Sequence, residues 1–68
     1  MQYTILIQYD AIDGIYVARV PELAGCMAHG KTQEEALREI SVVIEMWLEE
    51  ARRAGRPIPQ PTLYAQAG

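Results

Sequence analysis

The chain opens on a strict alternation of side chains that predicts a β-strand. Four odd positions carry large apolar or aromatic residues, and the positions between them are mixed: Tyr3, Ile5, Ile7 and Tyr9 against Thr4, Leu6 and Gln8. A period of two, rich in β-branched and aromatic residues, is typical of a strand. Asp13-Gly14 is a turn signal, and Ile15 to Val20 resumes the strand pattern. We therefore expect an antiparallel hairpin.

A third, shorter strand is predicted over Cys26 to His29. Pro21 lacks a backbone donor and ends the pairing of the strand before it. Gly25 and Gly30 bound the short segment, and glycine permits backbone angles that other residues resist.

The segment from Thr32 to Ala54 is predicted to be one long helix. Seven apolar residues recur at helical spacing and form one stripe: Ala36, Ile40, Val43, Ile44, Trp47, Leu48 and Ala51. Thr32 and Glu35 have the spacing of a capping box, and Gly55 stands where a left-handed C-cap is expected. Arg52 and Arg53 complement the helix dipole, and Glu49 has the spacing to pair with both.

Residues 56–64 are predicted to be extended, because the alternating Pro57, Pro59 and Pro61 exclude a helix. Thr62-Leu63-Tyr64 could add a short final strand. The predicted fold class is α+β, in one domain over residues 1–68: a three-stranded antiparallel sheet, one long helix on one face and a short C-terminal strand.

One helix cannot cover two apolar sheet faces. The strands carry apolar residues on both sides, Leu6 and Val20 included. An uncovered apolar face normally marks an interface, so we expect a homo-oligomer, a dimer or tetramer.

Composition narrows the possible functions. Half of the 68 residues are hydrophobic and the formal net charge is −3, which argues against general nucleic-acid binding and suits a basic partner. No apolar run approaches the roughly 20 residues that span a bilayer, and no secretory signal is visible. Cys26 is the single cysteine, which fits a reducing cytoplasm.

No catalytic constellation is evident. A two-metal nuclease of ribonuclease-H type needs a carboxylate inside its first strand, and here Asp10 and Asp13 fall at the end of the strand and in the turn, where Asp is favoured for turn geometry. Cys26 and His29 are three residues apart on a strand, which sends their side chains to opposite faces. We predict no enzymatic activity, no cofactor and no metal site.

An apolar pair on the polar side of the helix is the best candidate for a binding surface. Val42 and Met46 fall roughly opposite the apolar stripe, among Glu35, Glu39 and Glu49. Such a pair could be incidental, or it could dock a basic partner, with Met supplying adaptable packing.

Several short motifs, taken in their order along the chain, resemble those of the HicB-type antitoxin family. They are Asp-Gly-x-Tyr-Val-Ala at 13–18, Val-Pro-Glu-Leu-x-Gly-Cys at 20–26, Gly-x-Thr-x-Glu-Glu-Ala-Leu at 30–37 and Ile-Pro-x-Pro at 58–61. The resemblance implies a β-β-β-α-β, partial ribonuclease-H-like fold. It also implies a non-enzymatic antitoxin that occludes a small basic HicA-type toxin, an mRNA-cleaving protein. The alternative is an orphan oligomeric interaction module of the same fold, without a toxin partner.

The predicted partner-binding surface combines the turn acids with the exposed helix face: Asp10, Asp13, Glu35, Glu39, Val42 and Met46. Many members of the resembled family continue into a DNA-binding domain. This chain stops at Gly68, with no room for such a domain. We therefore expect no direct DNA binding and no membrane partner.

Overall fold

A computed structural model describes residues 2–64, so Met1 and residues 65–68 of the predicted domain lie outside the described residues. The elements are β1 (Leu6–Asp10), β2 (Ile15–Arg19), β3 (Met27–Gly30) and α1 (Gln33–Arg53). The strands form one antiparallel sheet in the order β1-β2-β3. The predicted α+β class, the hairpin and the long helix are confirmed.

The strand register separates two sheet faces. Ile7 lies opposite Ala18, which lies opposite Ala28, and this row faces α1. Leu6, Arg19 and Met27 form a neighbouring row on the other side. We call that side, which α1 does not cover, the outer sheet face.

The core lies between α1 and the inner sheet face. Its buried residues are Ala18, Val20, Leu23, Cys26, Ala36, Ile40 and Ile44. The predicted helix stripe is confirmed, with Val43, Trp47 and Leu48 packing at the margin of the core. Trp47 also donates its indole N–H to the Ala24 carbonyl at 2.9 Å, which ties α1 to the loop before β3.

Val20 and Leu6, the two apolar strand residues singled out from the sequence, lie on opposite faces of the sheet. Val20 is 3 % exposed because it continues the inward row of Ala18 beyond the end of β2. Leu6 lies on the outer sheet face as expected and is 41 % exposed.

Both ends of α1 are capped at residues that the sequence singles out. The Thr32 hydroxyl accepts the Glu35 N–H at 3.1 Å. Gly55 has φ +70°, and the Arg56 N–H donates to the Ala51 carbonyl at 2.8 Å, which is the Schellman ending.

Gly30 brings the start of α1 against the end of β3. A Cβ at this position would lie 2.5 Å from the Ala36 nitrogen and 2.9 Å from the Glu35 Cβ. Only a residue without a side chain allows this approach, which sets Glu35 beside the edge of the sheet.

The C-terminal strand predicted at Thr62-Leu63-Tyr64 does not form within the described residues. Pro57, Pro59 and Pro61 cannot donate to a ladder. The Thr62 N–H is taken by the Glu22 carboxylate at 2.8 Å. The tail is therefore held by a side chain and not by strand pairing.

The Glu22 carboxylate also explains why β1 begins at Leu6 and not at Tyr3. It accepts the Thr4 N–H at 3.1 Å and the Thr4 hydroxyl at 2.9 Å, so this part of the chain bonds to a side chain in place of a strand. The hydrogen bond from the Thr62 N–H, followed by those from the Glu22 N–H and from Thr4, lowers the Glu22 pKa from 4.5 to about 2, although desolvation opposes the shift.

We expect this clasp, formed by Glu22 with Thr4 and Thr62, to make stability depend on acid pH. Because the folded pKa is the lower one, the stabilisation is present above pH 4.5 and is lost as the pH falls toward about 2. The difference in Tm between the wild type and Glu22→Gln should therefore be largest near neutral pH and vanish near pH 2. Thermal unfolding followed by circular dichroism measures it. Glu45→Gln, at an exposed helix position, is the control, and an equal pH dependence for both variants would contradict the clasp.

Candidate functional site

An acidic groove runs between α1 and β3. Glu35 and Glu39 line a cavity of about 400 Å³ together with Val43 of the same helix and Met27 and His29 of the strand. Met27, His29 and Glu39 are exposed, and Glu35 is half-buried. The groove thus offers two carboxylates above an apolar floor and beside a strand.

The four helical residues of the predicted surface share one side of α1. Glu35, Glu39, Val42 and Met46 follow one another at steps of four, three and four residues, which keeps them within a narrow sector of the helix. Val42 is 55 % exposed and Met46 is 64 % exposed. This part of the prediction forms one continuous stripe, acidic at its N-terminal end and apolar toward its C-terminal end.

Met46 extends the apolar part along the helix. It lines a second cavity, of about 260 Å³, with Val43, Trp47, Glu50 and Arg56 among its neighbours. Val43 lines this cavity and the acidic groove alike, so the two are neighbours along one flank of α1.

Asp10 and Asp13 lie apart from the helical stripe. The Asp10 carboxylate accepts the N–H groups of Ile12 at 3.0 Å and of Asp13 at 3.3 Å, and Gly14 completes the turn with φ +66°. The turn role that the sequence favours for Asp10 is therefore seen. The two aspartates line another cavity of about 260 Å³, whose lining includes Val17 and His29.

The structure consequently divides the predicted surface into two groups. Strand β3 links them, because Met27, Ala28 and His29 line both the acidic groove and the aspartate cavity. Sequence reasoning placed His29 at a strand end and Met27 inside a strand, but it missed their role in the groove. The sequence carries no signal for this position, because the alternation of side chains does not show which strand lies at the edge of the sheet.

The arrangement of Cys26 and His29 agrees with the sequence argument. Cys26 is buried in the core, and desolvation raises the pKa of its thiol, while His29 is exposed in the row of Val17 on the outer sheet face. A buried protonated thiol and an imidazole on the opposite side do not form a nucleophile and base. Among residues 2–64, no group of three or more His, Cys, Asp or Glu side chains is placed to hold a metal ion.

The arginines at the end of α1 pair differently from the prediction. Glu50, and not Glu49, contacts Arg53 at 2.8 Å and Arg56 at 4.0 Å. The i, i+3 spacing together with the turn after Gly55 brings both cations toward Glu50. These exposed pairs contribute little to stability.

The fold and this surface define a small α+β domain whose distinguishing feature is an acidic, partly apolar groove at a sheet edge. A family model described as UPF0150-like matches residues 6–59, which span all three strands and α1. The chain belongs to the UPF0150 family.

Relatives in both bacteria and archaea support the assignment. A UPF0150 protein of Synechocystis sp. is 42% identical over 59 residues, covering 87% of this chain and 80% of the relative. A UPF0150 protein of Thermoplasma acidophilum is 42% identical over 60 residues, covering 88% and 86%. A second Synechocystis protein is 38% identical over 64 residues, covering 94% and 80%.

These matches establish the family and name no partner or reaction. No solved structure matches the chain at a significant level. Within the part of the chain that the structure describes, no helix is long and apolar enough to cross a membrane.

Proposed function

We propose that the chain is a HicB-like antitoxin that binds and occludes a small basic HicA-type toxin. The observation that carries the proposal is the helical stripe, where Glu35 and Glu39 adjoin the exposed Val42 and Met46. Carboxylates beside exposed apolar side chains suit a cationic protein surface, because charge steers the encounter and apolar contact holds it.

The proposed mechanism is occlusion without catalysis. A toxin that cleaves mRNA must present a cationic RNA-binding surface, and an acidic domain seated on that surface excludes the RNA. The inhibitor would act in the cytoplasm, where the mRNA lies. The order of three strands followed by a long helix supports a partial ribonuclease-H-like topology.

Recovery and inhibition of the toxin test the proposal. The tagged chain is expressed in its own cells, and co-purifying proteins are identified by mass spectrometry. We expect a small basic protein in stoichiometric amount. Its purified form should cleave mRNA alone and lose that activity when the chain is added in equal amount. Failure to recover such a protein, or cleavage that the chain does not slow, would overturn the proposal.

A second candidate is an orphan oligomeric interaction module. It is favoured by the outer sheet face, where Leu6 and Met27 are exposed on either side of Arg19. This face also supports the proposal that the chain forms a dimer or tetramer in either role, because a second copy would remove these side chains from water.

We expect Leu6→Glu to break this self-association. The substitution replaces the exposed apolar side chain of Leu6 by a carboxylate, which an apposed copy would have to bury. Size-exclusion chromatography with light scattering should show an oligomer for the wild type and a monomer for the variant. Leu37→Glu, at an exposed position on α1, is the matched control and should keep the oligomer. If Leu6→Glu stays oligomeric, the interface lies elsewhere.

A further inference from the structure

The free edge of β3 is a second feature of the acidic groove. β3 pairs with β2 on one side, and no segment within residues 2–64 pairs with its other side. The Val20 N–H donates to the Cys26 carbonyl at 3.1 Å, which marks residues 20 and 26 as a hydrogen-bonded pair. Such pairs alternate along an antiparallel ladder. The N–H and C=O groups of Met27 and His29 therefore point away from β2, toward the free edge.

An exposed strand edge is a template for another strand, and proteins normally protect it. Here the edge lies beside the acidic groove, since Met27 and His29 line the same cavity as Glu35 and Glu39. A strand added at this edge would place every second side chain on the helix side of the sheet. Those side chains would meet the two carboxylates and the apolar surface of Val43.

We propose that β3 receives a basic β-strand from the partner, with alternating cationic side chains directed to Glu35 and Glu39. The identity of the partner rests on the proposed antitoxin function. The edge site adds how that partner is recognised. Backbone hydrogen bonds to Met27 and His29 hold the strand, and the carboxylates select its charge.

Charge decides between a basic strand and a second copy of this chain. If two copies paired through β3 about a two-fold axis, both helices would lie on the same side of the joined sheet. Glu35 and Glu39 of each copy would then meet across the seam, in a chain whose formal net charge is already −3. Like charges placed together across an interface oppose association. The edge therefore fits a cationic strand and not itself.

The two turn aspartates fall outside this site. Asp10 ends β1 and Asp13 lies in the turn that follows it. The aspartate cavity reaches β3, but Asp10 belongs to the alternation of Leu6 on the outer sheet face, whereas the cationic side chains of the added strand lie on the helix side. Within the surface predicted from sequence, the edge site uses Glu35 and Glu39 but not Asp10 and Asp13.

A peptide probe tests the edge directly. The probe is a short peptide of alternating lysine and valine. Its control is the same peptide with an N-methyl group on every second residue, at the residues whose N–H groups would face β3. Both carry the same charge, but the control cannot complete a ladder. We expect the first peptide to slow amide hydrogen exchange at Met27 and His29 by about tenfold or more, while the second leaves both unprotected.

Charge reversal tests the role of the carboxylates. Glu35→Lys with Glu39→Lys should weaken binding of the alternating peptide by about tenfold or more. The matched control, Glu34→Lys with Glu45→Lys, makes the same change in net charge, with one residue in the first helical turn and one in the helix body. These two residues lie on another side of α1. We expect the affinity for the peptide to change by less than about threefold, because only the long-range electrostatic field is altered.

Three outcomes would overturn the edge site. The methylated peptide could bind as well as the unmethylated one, or the two double variants could lose binding equally. Alternatively, Met27 and His29 could become protected as the monomeric Leu6→Glu variant alone is concentrated, which would assign the edge to a second copy. If a recovered toxin is inhibited while the edge fails these tests, the antitoxin proposal stands without it. If the edge binds the probe and no toxin is recovered, the edge site stands alone.

Discussion

Replacing Ile44 with alanine is expected to remove most of the free energy of unfolding. Ile44 is fully buried between α1 and the sheet, so the substitution removes packed methylene and methyl groups and leaves a cavity. Truncations of this kind cost about 2–5 kcal/mol. A single core in a chain of this size supplies only about 3–5 kcal/mol of net stability. Urea unfolding followed by circular dichroism measures the change in the free energy of unfolding.

Val42→Ala is the matched control for Ile44→Ala. Val42 lies two residues earlier on the same helix and is largely exposed, so its truncation leaves no cavity. Alanine also has the higher helix propensity, and the free energy of unfolding should stay within about 0.5 kcal/mol of the wild type. Equal losses from the two variants would show that the inner and outer sides of α1 are wrongly assigned.

Gly30→Ala is expected to produce the second large loss. The added Cβ would lie 2.5 Å from the backbone nitrogen of Ala36, and backbone cannot move aside as the end of a flexible side chain can. Overpacking of this kind costs about 1–3 kcal/mol, and more where backbone must shift. The change should appear in thermal and urea unfolding. It should also displace Glu35 from the edge of β3 and weaken binding of the alternating peptide.

Gly25→Ala separates crowding from backbone strain. Gly25 has φ +75°, and no atom lies within 4 Å of the point that a Cβ would occupy, so alanine there meets open space but adopts a left-handed conformation. That strain costs about 1–2 kcal/mol. Gly25→Ala should therefore destabilise the chain while leaving peptide binding by the folded fraction intact. A Gly30→Ala variant with wild-type stability would refute the close approach.

The tail and the clasp depend on contacts between residues that are distant in the chain. The prolines correctly excluded a helix after Arg56, but Thr62 lies beside Glu22 only because the chain folds back across 40 residues. The same limit applies to β1, whose alternation begins at Tyr3 although pairing begins at Leu6. An alternating pattern shows that a segment is extended and does not show whether its backbone donors reach another strand or a carboxylate.

The sequence by itself determined the helix, its caps and its two sides, because these depend on neighbours within one turn of each other. It also determined the hairpin, since Asp13-Gly14 and the flanking alternation are local features. The tertiary structure alone decided that β3 is an edge, that Gly30 sets the start of α1 against it, and that the acids fall into two groups. These features depend on which strands pair and on how closely the helix approaches the sheet. Such contacts join residues distant in the chain and are settled only when the core packs.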